Sequence, residues 1–201
     1  MRDWTGNSRS TYITLGASNH TDKERQSDDF YATDPIAIDK LVAKHRLPTN
    51  IYEPACGEGH LSKRLVELGH NVVSTDLIDR GFGAGGIDFL AVKELPRDCK
   101  CILTNPPYKY ALEFIKHSLE LLPDDGECVM LLKTTFLEGK KRYKELFSEH
   151  PPRYIYQFSE RLLCAKNADF EGMRAGGGSA VSYAWFVFTP CNKSLPIVDW
   201  I

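Results

Sequence analysis

The sequence predicts an α/β fold with a doubly wound, mostly parallel sheet and an antiparallel hairpin at one edge. Strand-like and helix-like segments alternate along residues 34–150, which is typical of strands connected by crossover helices. One segment, "ECVMLLK" at 127–133, has an apolar centre without alternation, as expected for a strand covered on both faces. The aromatic segments "YIYQFS" (154–159) and "SYAWFVFT" (182–189) have no helix between them, and this predicts the hairpin.

Local signals predict the individual elements. Asp34 is a candidate N-cap for the first helix, and Pro35 suits its first turn. Gly69 is a natural stop for the second helix. Leucine and isoleucine at helical spacing predict an amphipathic third helix. The predicted helices are 34–46, 60–69, 110–122 and 140–150. The predicted strands before the final pair are 50–54, 71–76, 99–107 and 127–133.

The composition predicts one domain with an ordinary hydrophobic core. The 201 residues are 42% hydrophobic and 26% charged, both usual for a globular protein in water. We expect residues 29–201 to form this single domain and the polar residues 1–28 to form an N-terminal arm. No apolar run approaches the ~20 residues that span a bilayer, and the start lacks the apolar core of a signal peptide. These features predict a cytoplasmic protein with no membrane partner.

Cysteine usage and net charge argue against two kinds of site. The 6 cysteines are scattered and form no CxxC pair, so we expect reduced thiols and no metal site. The net charge of -2 is not that of a strong nucleic-acid binder. An enzyme that binds nucleic acid through one local basic face is still compatible with this charge.

A glycine-rich turn follows the strand predicted at 50–54. In "YEPACGEGHLSKR", Glu53 ends the strand, and Gly57 and Gly59 allow the backbone to approach a ligand closely. Ligands of open α/β sheets bind at the carboxyl ends of the strands. Asp76 ends the next strand, where an acid can accept hydrogen bonds from ribose hydroxyls. The pattern therefore favours a ligand that contains a nucleoside.

Three interpretations of this turn are open from its residues alone. A dinucleotide site requires a third glycine, and Ser62 occupies that position. The segment "GFGAGG" at 81–86 has the full glycine spacing, but it follows the acid of the second strand, so we expect a flexible surface loop there. The second interpretation is a structural turn without a ligand. The third is a site for S-adenosylmethionine.

The segment "TNPPY" at 104–108 lies where a later strand ends. Pro106 and Pro107 remove two backbone donors and make the turn rigid. The Asn105 side chain and the Pro106 carbonyl offer two acceptors, and Tyr108 offers a flat aromatic face. Together these groups fit a planar substrate that bears an amine. A strand-ending turn without a chemical role is the alternative for the segment taken alone, but its combination with the glycine turn favours S-adenosylmethionine.

These motifs, in this order, resemble those of the amino-methyltransferases, in particular the DNA adenine N6-methyltransferases. "FYATDP" resembles their N-terminal cofactor motif, "EPACGEG" the first core motif, "STDLID" the second, "GIDFL" the third and "TNPPY" the catalytic fourth. The resemblance covers residues 28–136, is weaker over 137–201, and extends to small stand-alone enzymes of phages and prophages. It implies the Rossmann-like, seven-stranded sheet of class I methyltransferases.

The resemblance also implies roles for individual residues and S-adenosylmethionine as the cofactor, with no metal. Tyr31 and Thr33 would contact its methionine part, Asp76 its ribose, and Asp88 its adenine amine. The full set of implied cofactor-binding residues is Tyr31, Thr33, Glu53, Ala55, Gly57, Gly59, Asp76, Leu77, Asp88 and Phe89. The implied catalytic residues are Asn105, Pro106, Pro107 and Tyr108. Cys56, which departs from the usual pattern, is expected to be a small filler without a chemical role.

The resemblance implies transfer of a methyl group to N6 of adenine in DNA, which requires the base to leave the duplex. Enzymes that methylate RNA adenine, cytosine N4 or protein glutamine share the catalytic motif, so these substrates remain open. A non-catalytic, cofactor-binding subunit of a heteromeric methyltransferase is a further alternative, although such a subunit does not need Asn105.

Little chain is left for substrate recognition. The candidate regions are the arm 1–28, the basic segment 139–144 and the loop 164–179, and a partner protein could supply what they lack. The candidate substrate contacts are Lys141, Arg142, Phe158, Lys166, Asn167 and Arg174. A solvated helix face, a plain hairpin loop and a core aromatic are the alternatives for these residues.

Overall fold

The computed structural model of the chain describes residues 31–166, 170–171 and 181–201, without the side chains of Tyr31 and Lys166. The predicted arm at 1–28 lies outside these residues, as do Asn167 and Arg174.

The fold is a seven-stranded, mostly parallel sheet with a separate two-stranded antiparallel sheet, and this confirms the predicted fold class. The strands are β1 Tyr31–Thr33, β2 Asn50–Glu53, β3 Asn71–Ser74, β4 Cys101–Thr104, β5 Glu127–Lys133, β6 Tyr154–Gln157, β7 Cys164–Lys166, β8 Tyr183–Phe188 and β9 Ile197–Trp200. The large sheet has the order β3-β2-β4-β5-β8-β6-β9, and only β8 runs antiparallel to its neighbours.

The predicted hairpin is antiparallel, but it does not form the edge of the sheet. Strand β8 lies between β5 and β6, and β9 forms the edge by pairing parallel to β6. The sequence did not indicate β9 because it lacks an apolar alternation: Ile197, Val198 and Trp200 are all exposed. Backbone hydrogen bonds to β6, such as Ile197 N to Arg153 O and Ile201 N to Gln157 O, hold it in place.

The helices occur where they were predicted, although the first and last are shorter. They are α1 Ile36–Val42, α2 His60–Glu67, α3 Ala111–Leu121 and α4 Lys140–Arg142, which continues as a wider π turn over Tyr143–Phe147. The Asp34 side chain accepts a hydrogen bond from Ile36 N at the start of α1. At the end of α2, Gly69 N donates to Val66 O and His70 N to Leu65 O, so the helix stops at the predicted glycine.

Two hydrophobic cores lie on opposite faces of the large sheet. Along β5, Val129 and Leu131 belong to the core under α1 and α2, whereas Cys128, Met130 and Leu132 belong to the core under α3. The apolar centre of β5 follows from this arrangement, because both of its faces are covered.

The small sheet places the N-terminal end of the described chain beside the large sheet's carboxyl edge. Strand β1 pairs antiparallel with β7, with Thr33 opposite Cys164, and Asp34 N donates to Leu163 O. Neither strand was predicted, because three residues are too few for a periodic pattern. No helix in the described ranges combines the length and apolar character that crossing a bilayer requires.

Candidate active site

A cavity of about 560 Å³ opens at the carboxyl ends of β2, β3 and β4, where a ligand site is expected in such a sheet. The glycine turn and the "TNPPY" turn both contribute to its wall. The predicted residues that line it are Thr33, Glu53, Ala55, Asp76, Leu77, Asp88, Phe89, Asn105, Pro106, Pro107 and Tyr108. Two groups of motifs that are far apart in the sequence therefore surround one space.

The glycine turn has the backbone shape that its two glycines allow. Gly57 has φ 55° and Gly59 has φ 80°, both in the left-handed region that favours glycine. Gly57 N donates to Asp76 Oδ2 at 2.8 Å, and Gly59 N donates to Cys56 O at 2.8 Å. Ala55, Cys56 and His60, rather than the glycines, form the cavity wall here.

The segment at 81–86 lies at the surface, but it is anchored to the glycine turn and to the end of β3. The ring of Phe82 lies so close to Gly59 that a Cβ on Gly59 would be 2.3 Å from it. Ala84 N donates to Ser74 O, and Asp76 N donates to Ala84 O. The segment was expected to be a flexible loop; these contacts instead make it a support for the turn.

Two backbone groups fix the carboxylate of Asp76. Its Oδ2 accepts a hydrogen bond from Gly57 N at 2.8 Å, and its Oδ1 accepts one from Ile78 N at 2.9 Å. A carboxylate has about four acceptor sites, so each oxygen keeps one for a ligand. This arrangement can present two acceptors to a pair of neighbouring hydroxyls.

Glu53 is a buried acid at the end of β2, with 2% of its surface exposed. Burial raises its pKa to about 8, and the hydrogen bond that Ser62 donates to its Oε2 partly opposes this shift. The Ser62 hydroxyl also lies 2.6 Å from the Ser74 hydroxyl. Ser62 had been noted only as a missing glycine; its role is to hold Glu53, and its place in the first turn of the helix after the acid was the available signal.

Asp88 and Phe89 form another part of the wall. Asp88 Oδ1 accepts a hydrogen bond from Leu90 N and so caps the short 3-10 turn Phe89–Ala91. Phe89 is buried, and its ring lies 4.8 Å from the ring of Phe114 and 6.0 Å from that of Tyr52. This part of the cavity wall therefore combines an exposed acid with a buried aromatic ring.

Asn105 lies directly after β4, and its amide is held on one side only. Its Nδ2 donates to Thr33 Oγ1 at 2.9 Å, whereas its Oδ1 is buried and has no hydrogen-bond partner among the described residues. At the preceding position, Thr104 Oγ1 contacts Ala55 O at 3.4 Å and connects the two turns. Asn105 therefore lines the cavity, and no described residue uses its predicted acceptor.

Tyr108 presents a ring at the cavity and a buried hydroxyl behind it. Burial raises the pKa of this hydroxyl well above its usual range, although Asn105 opposes the shift. Its oxygen has no partner at hydrogen-bond distance and angle in the described chain. The ring lies 6.2 Å from that of Tyr183, and Lys133 Nζ lies 4.8 Å from its centre.

None of the candidate substrate residues whose side chains the structure describes lines the cavity. Lys141 Nζ lies 3.5 Å from Glu113 Oε1 on the surface. Arg142 donates to the carbonyls of Phe136 and Glu138, so its guanidinium serves the turn before α4. Phe158 is buried in the core and lines a second, smaller pocket with Tyr183. Lys166, Asn167 and Arg174 cannot be placed, because their side chains lie outside the described residues.

Several residues that line the cavity were not predicted from the sequence. They follow the predicted turns or lie in the connection after β3: Cys56, His60, Leu61, Ile78, Arg80, Ile87, Lys109, Tyr110 and Phe114. The available signal was proximity in sequence to the two motifs. Trp185, from the aromatic segment 182–189, is a core residue that donates from Nε1 to Ala37 O at 3.0 Å.

No protein-family model matches the sequence, and no curated protein matches it. Solved structures do match the fold. A Listeria monocytogenes protein assigned as a class I S-adenosylmethionine-dependent methyltransferase matches with a TM-score of 0.52 at 14% identity, over 82% of this chain and 62% of that one. A modification subunit assigned to a type I restriction enzyme of Vibrio vulnificus matches with a TM-score of 0.57 at 14% identity, over 99% of this chain and 54% of that one.

A Lactococcus lactis protein assigned as a hemolysin matches equally well, with a TM-score of 0.58 at 10% identity over 82% of this chain and 91% of that one. The chain spans less than two thirds of the length of the Listeria and Vibrio proteins. The three matched proteins also carry different names. At these identities the likeness concerns the fold. The chain has the Rossmann-like fold of the class I methyltransferases.

Proposed function

We propose that this chain is an S-adenosylmethionine-dependent methyltransferase that acts on an exocyclic amine, N6 of adenine in DNA. The observation that carries the proposal is Asn105 Oδ1, a buried acceptor without a described partner in the wall of the cavity that Glu53 and Asp76 also line. A buried acceptor left unpaired costs about 1–3 kcal/mol. An N–H donor of a ligand would remove this cost.

The acidic and apolar side chains that line the cavity fit S-adenosylmethionine. Asp76 offers one lone pair on each oxygen to the two ribose hydroxyls. Glu53 is a buried acid whose charged form a neighbouring cation would favour. Leu77 and Phe89 provide apolar surface, and Asp88 an acceptor, for an adenine ring. When bound, the cofactor supplies an electrophilic methyl group.

The residues of the "TNPPY" turn act on the substrate amine. The lone pair of an exocyclic aryl amine is delocalised into its ring, which makes the nitrogen a weak nucleophile. Acceptance of one N–H by Asn105 Oδ1 and of the other by the Pro106 carbonyl favours a pyramidal nitrogen. It also stabilises the positive charge that develops on the nitrogen as its new bond forms. The rigid prolines keep both acceptors in position.

Three observations support a nucleic acid as the substrate. The motif order resembles that of DNA adenine methyltransferases, and a modification subunit assigned to a restriction enzyme matches almost the whole chain. Lys109 lines the cavity, and Lys133 lies against Tyr108; neither forms an ion pair within the described part of the chain. These cations suit phosphates next to a base that has left the duplex. Lys141, which is exposed, is a better candidate for a more distant phosphate contact than Arg142.

The proposal is tested by incubating the protein with tritiated S-adenosylmethionine and unmethylated genomic DNA, RNA or unmethylated cell protein. We expect label in DNA, recovered as N6-methyl-2′-deoxyadenosine after digestion to nucleosides. Label confined to RNA or protein would contradict the DNA assignment, and no label in any polymer would contradict the enzyme assignment.

The Asn105→Ala variant tests the site itself. We expect kcat to fall at least about 100-fold, the usual cost of one oriented group that stabilises developing charge. Affinity for the cofactor, measured by calorimetry, should change little. Asn50→Ala is the matched control, because Asn50 begins β2 at the opposite end of the sheet. Wild-type turnover in Asn105→Ala would overturn the proposed site.

A further inference from the structure

The orientation of the Asn105 amide decides which of its atoms faces the cavity. A half-turn about its last side-chain bond exchanges a carbonyl acceptor for an NH2 donor of almost the same shape. With the NH2 group inward, Asn105 would place its own N–H donors against those of the substrate amine and could not accept a hydrogen bond from them. The role proposed for Asn105 therefore requires a contact that keeps its Oδ1 directed at the cavity.

Thr33 is the residue in contact with the other end of this amide. Its Oγ1 accepts the hydrogen bond from Asn105 Nδ2 at 2.9 Å. Thr33 is 3% exposed, so water does not compete for this bond. Cys164 lies opposite Thr33 in the paired strand, and the two side chains interact. Burial raises the pKa of Cys164 to about 12, so this neighbour of Thr33 is a neutral thiol.

The strand that carries Thr33 is itself held in place. Strand β1 pairs with β7 through its whole length, and Asp34 N donates to Leu163 O just beyond the pair. The hydroxyl that contacts Asn105 is therefore fixed by two segments far from Asn105 in sequence. A flexible arm could not select one orientation of an amide in this way.

We propose that Thr33 is a positioning residue that keeps Asn105 Oδ1 directed at the substrate amine. This role differs from the contact with the cofactor that the sequence resemblance implies for Thr33, and it rests on the proposed function. Thr33 acts through Asn105 and does not itself touch the reacting nitrogen.

Kinetics of two variants of the full chain test the proposal. Thr33→Val keeps the shape and removes the hydroxyl, and we expect kcat to fall about tenfold, the equivalent of one lost hydrogen bond. The cofactor Kd should change by less than about threefold. Thr33→Ser, which keeps the hydroxyl, should have a kcat near the wild-type value. Ser118→Ala, which removes a buried hydroxyl bonded to Phe114 O in α3, is the matched control and should leave kcat unchanged.

A second measurement does not depend on activity. The side-chain NH2 signals of Asn105, identified by their absence from Asn105→Ala, should exchange slowly with solvent in the wild-type protein. In Thr33→Val we expect this exchange to accelerate about tenfold, because the bond that protects it is lost. In Thr33→Ser it should remain slow.

The outcomes separate this proposal from the proposed function. Unchanged kcat and unchanged NH2 exchange in Thr33→Val would overturn the positioning role, as would a loss that appears wholly in the cofactor Kd. Full activity of Asn105→Ala would overturn the function, whatever Thr33→Val does. If the wild-type protein transfers no methyl group, the exchange measurement alone decides whether Thr33 holds the amide.

Discussion

Glu53 is the clearest case of a single residue whose pKa is changed by burial in the folded protein. The side chain ends β2 with 2% exposure, and burial raises its pKa from an ordinary 4.5 to about 8. Near neutral pH the folded protein therefore holds a proton that the unfolded chain has released. A buried neutral acid is tolerated without a ligand, and a cation placed beside it would favour loss of the proton.

This pKa predicts how stability depends on pH. Between about pH 4.5 and 8 the folded state binds more protons than the unfolded state, so the contribution of Glu53 to stability decreases as pH rises through this window. Glu53→Gln removes the titration but retains a group that Ser62 can hydrogen-bond. We expect its Tm relative to wild type to increase progressively from about pH 4.5 to about pH 8, the window between the pKa values of Glu53 in the unfolded and folded states. A Tm difference that does not vary with pH would contradict the raised pKa.

At the residue scale, chemistry could be predicted where it depends on the residue type itself. Asn105 and Asp76 were identified because few residue types offer those acceptors after a strand. Thr33 was identified too, but its contact with Asn105 could not be, because β1 and β4 are joined only in three dimensions. The uses of Ser62 and Arg142 depend on which neighbours lie within hydrogen-bond distance, and local sequence does not contain that information.

The glycine turn between β2 and α2 is an element whose shape depends on a neighbouring loop. Gly59 has φ 80° and faces the ring of Phe82, and Lys63 Nζ lies 5.0 Å from the centre of the same ring. A side chain at Gly59 would meet both backbone strain and a collision. The turn and the segment at 81–86 therefore form one unit.

Two glycine variants separate strain from collision. Gly69 also has positive φ, 90°, but a Cβ added there would meet no atom within 4 Å, so Gly69→Ala carries the backbone strain alone. We expect Gly69→Ala to lower the free energy of unfolding by about 1–2 kcal/mol and to leave cofactor affinity unchanged. Gly59→Ala should lose more stability and weaken cofactor binding, because Phe82 must move. Urea unfolding and calorimetry measure these effects, and equal losses in both variants would argue against the Phe82 contact.

At the scale of elements, prediction succeeded for segments that carry their own pattern. The helix α3 and the strand β5 have apolar residues at spacings that indicate their type, and Gly69 indicates where α2 stops. The strands β1, β7 and β9 are short, and β9 is largely exposed. They exist because a backbone edge lies next to them, which no pattern within the segment reveals.

The molecule as a whole is organised by β8, the antiparallel strand inserted between β5 and β6. All six of its residues are buried, and they alternate between the two cores. Trp185 is 0% exposed, and its indole N–H reaches Ala37 O in α1, so one side chain joins the sheet to the helix that follows β1. The final strands thereby support the region that carries Thr33.

Trp185→Phe tests this long-range support. The change removes a hydrogen bond and leaves a small cavity, and we expect the free energy of unfolding in urea to decrease by about 2–3 kcal/mol. Trp200→Phe is the matched control, since Trp200 is 61% exposed on β9 and a surface change of this kind costs at most about 0.5 kcal/mol. Equal stability of the two variants would show that the Trp185 contact contributes little.

By itself the sequence determined the fold class, the position of the glycine turn, and the residue types that offer chemistry, namely Asp76 and the "TNPPY" turn. These are local properties, because periodicity, glycine conformations and donor or acceptor groups belong to the residues themselves. Only the tertiary structure decided the placement of β8 within the sheet, the raised pKa of Glu53 and the contact of Thr33 with Asn105. Each of these depends on burial or on distances between segments far apart in the chain, and such distances exist only once the chain has folded.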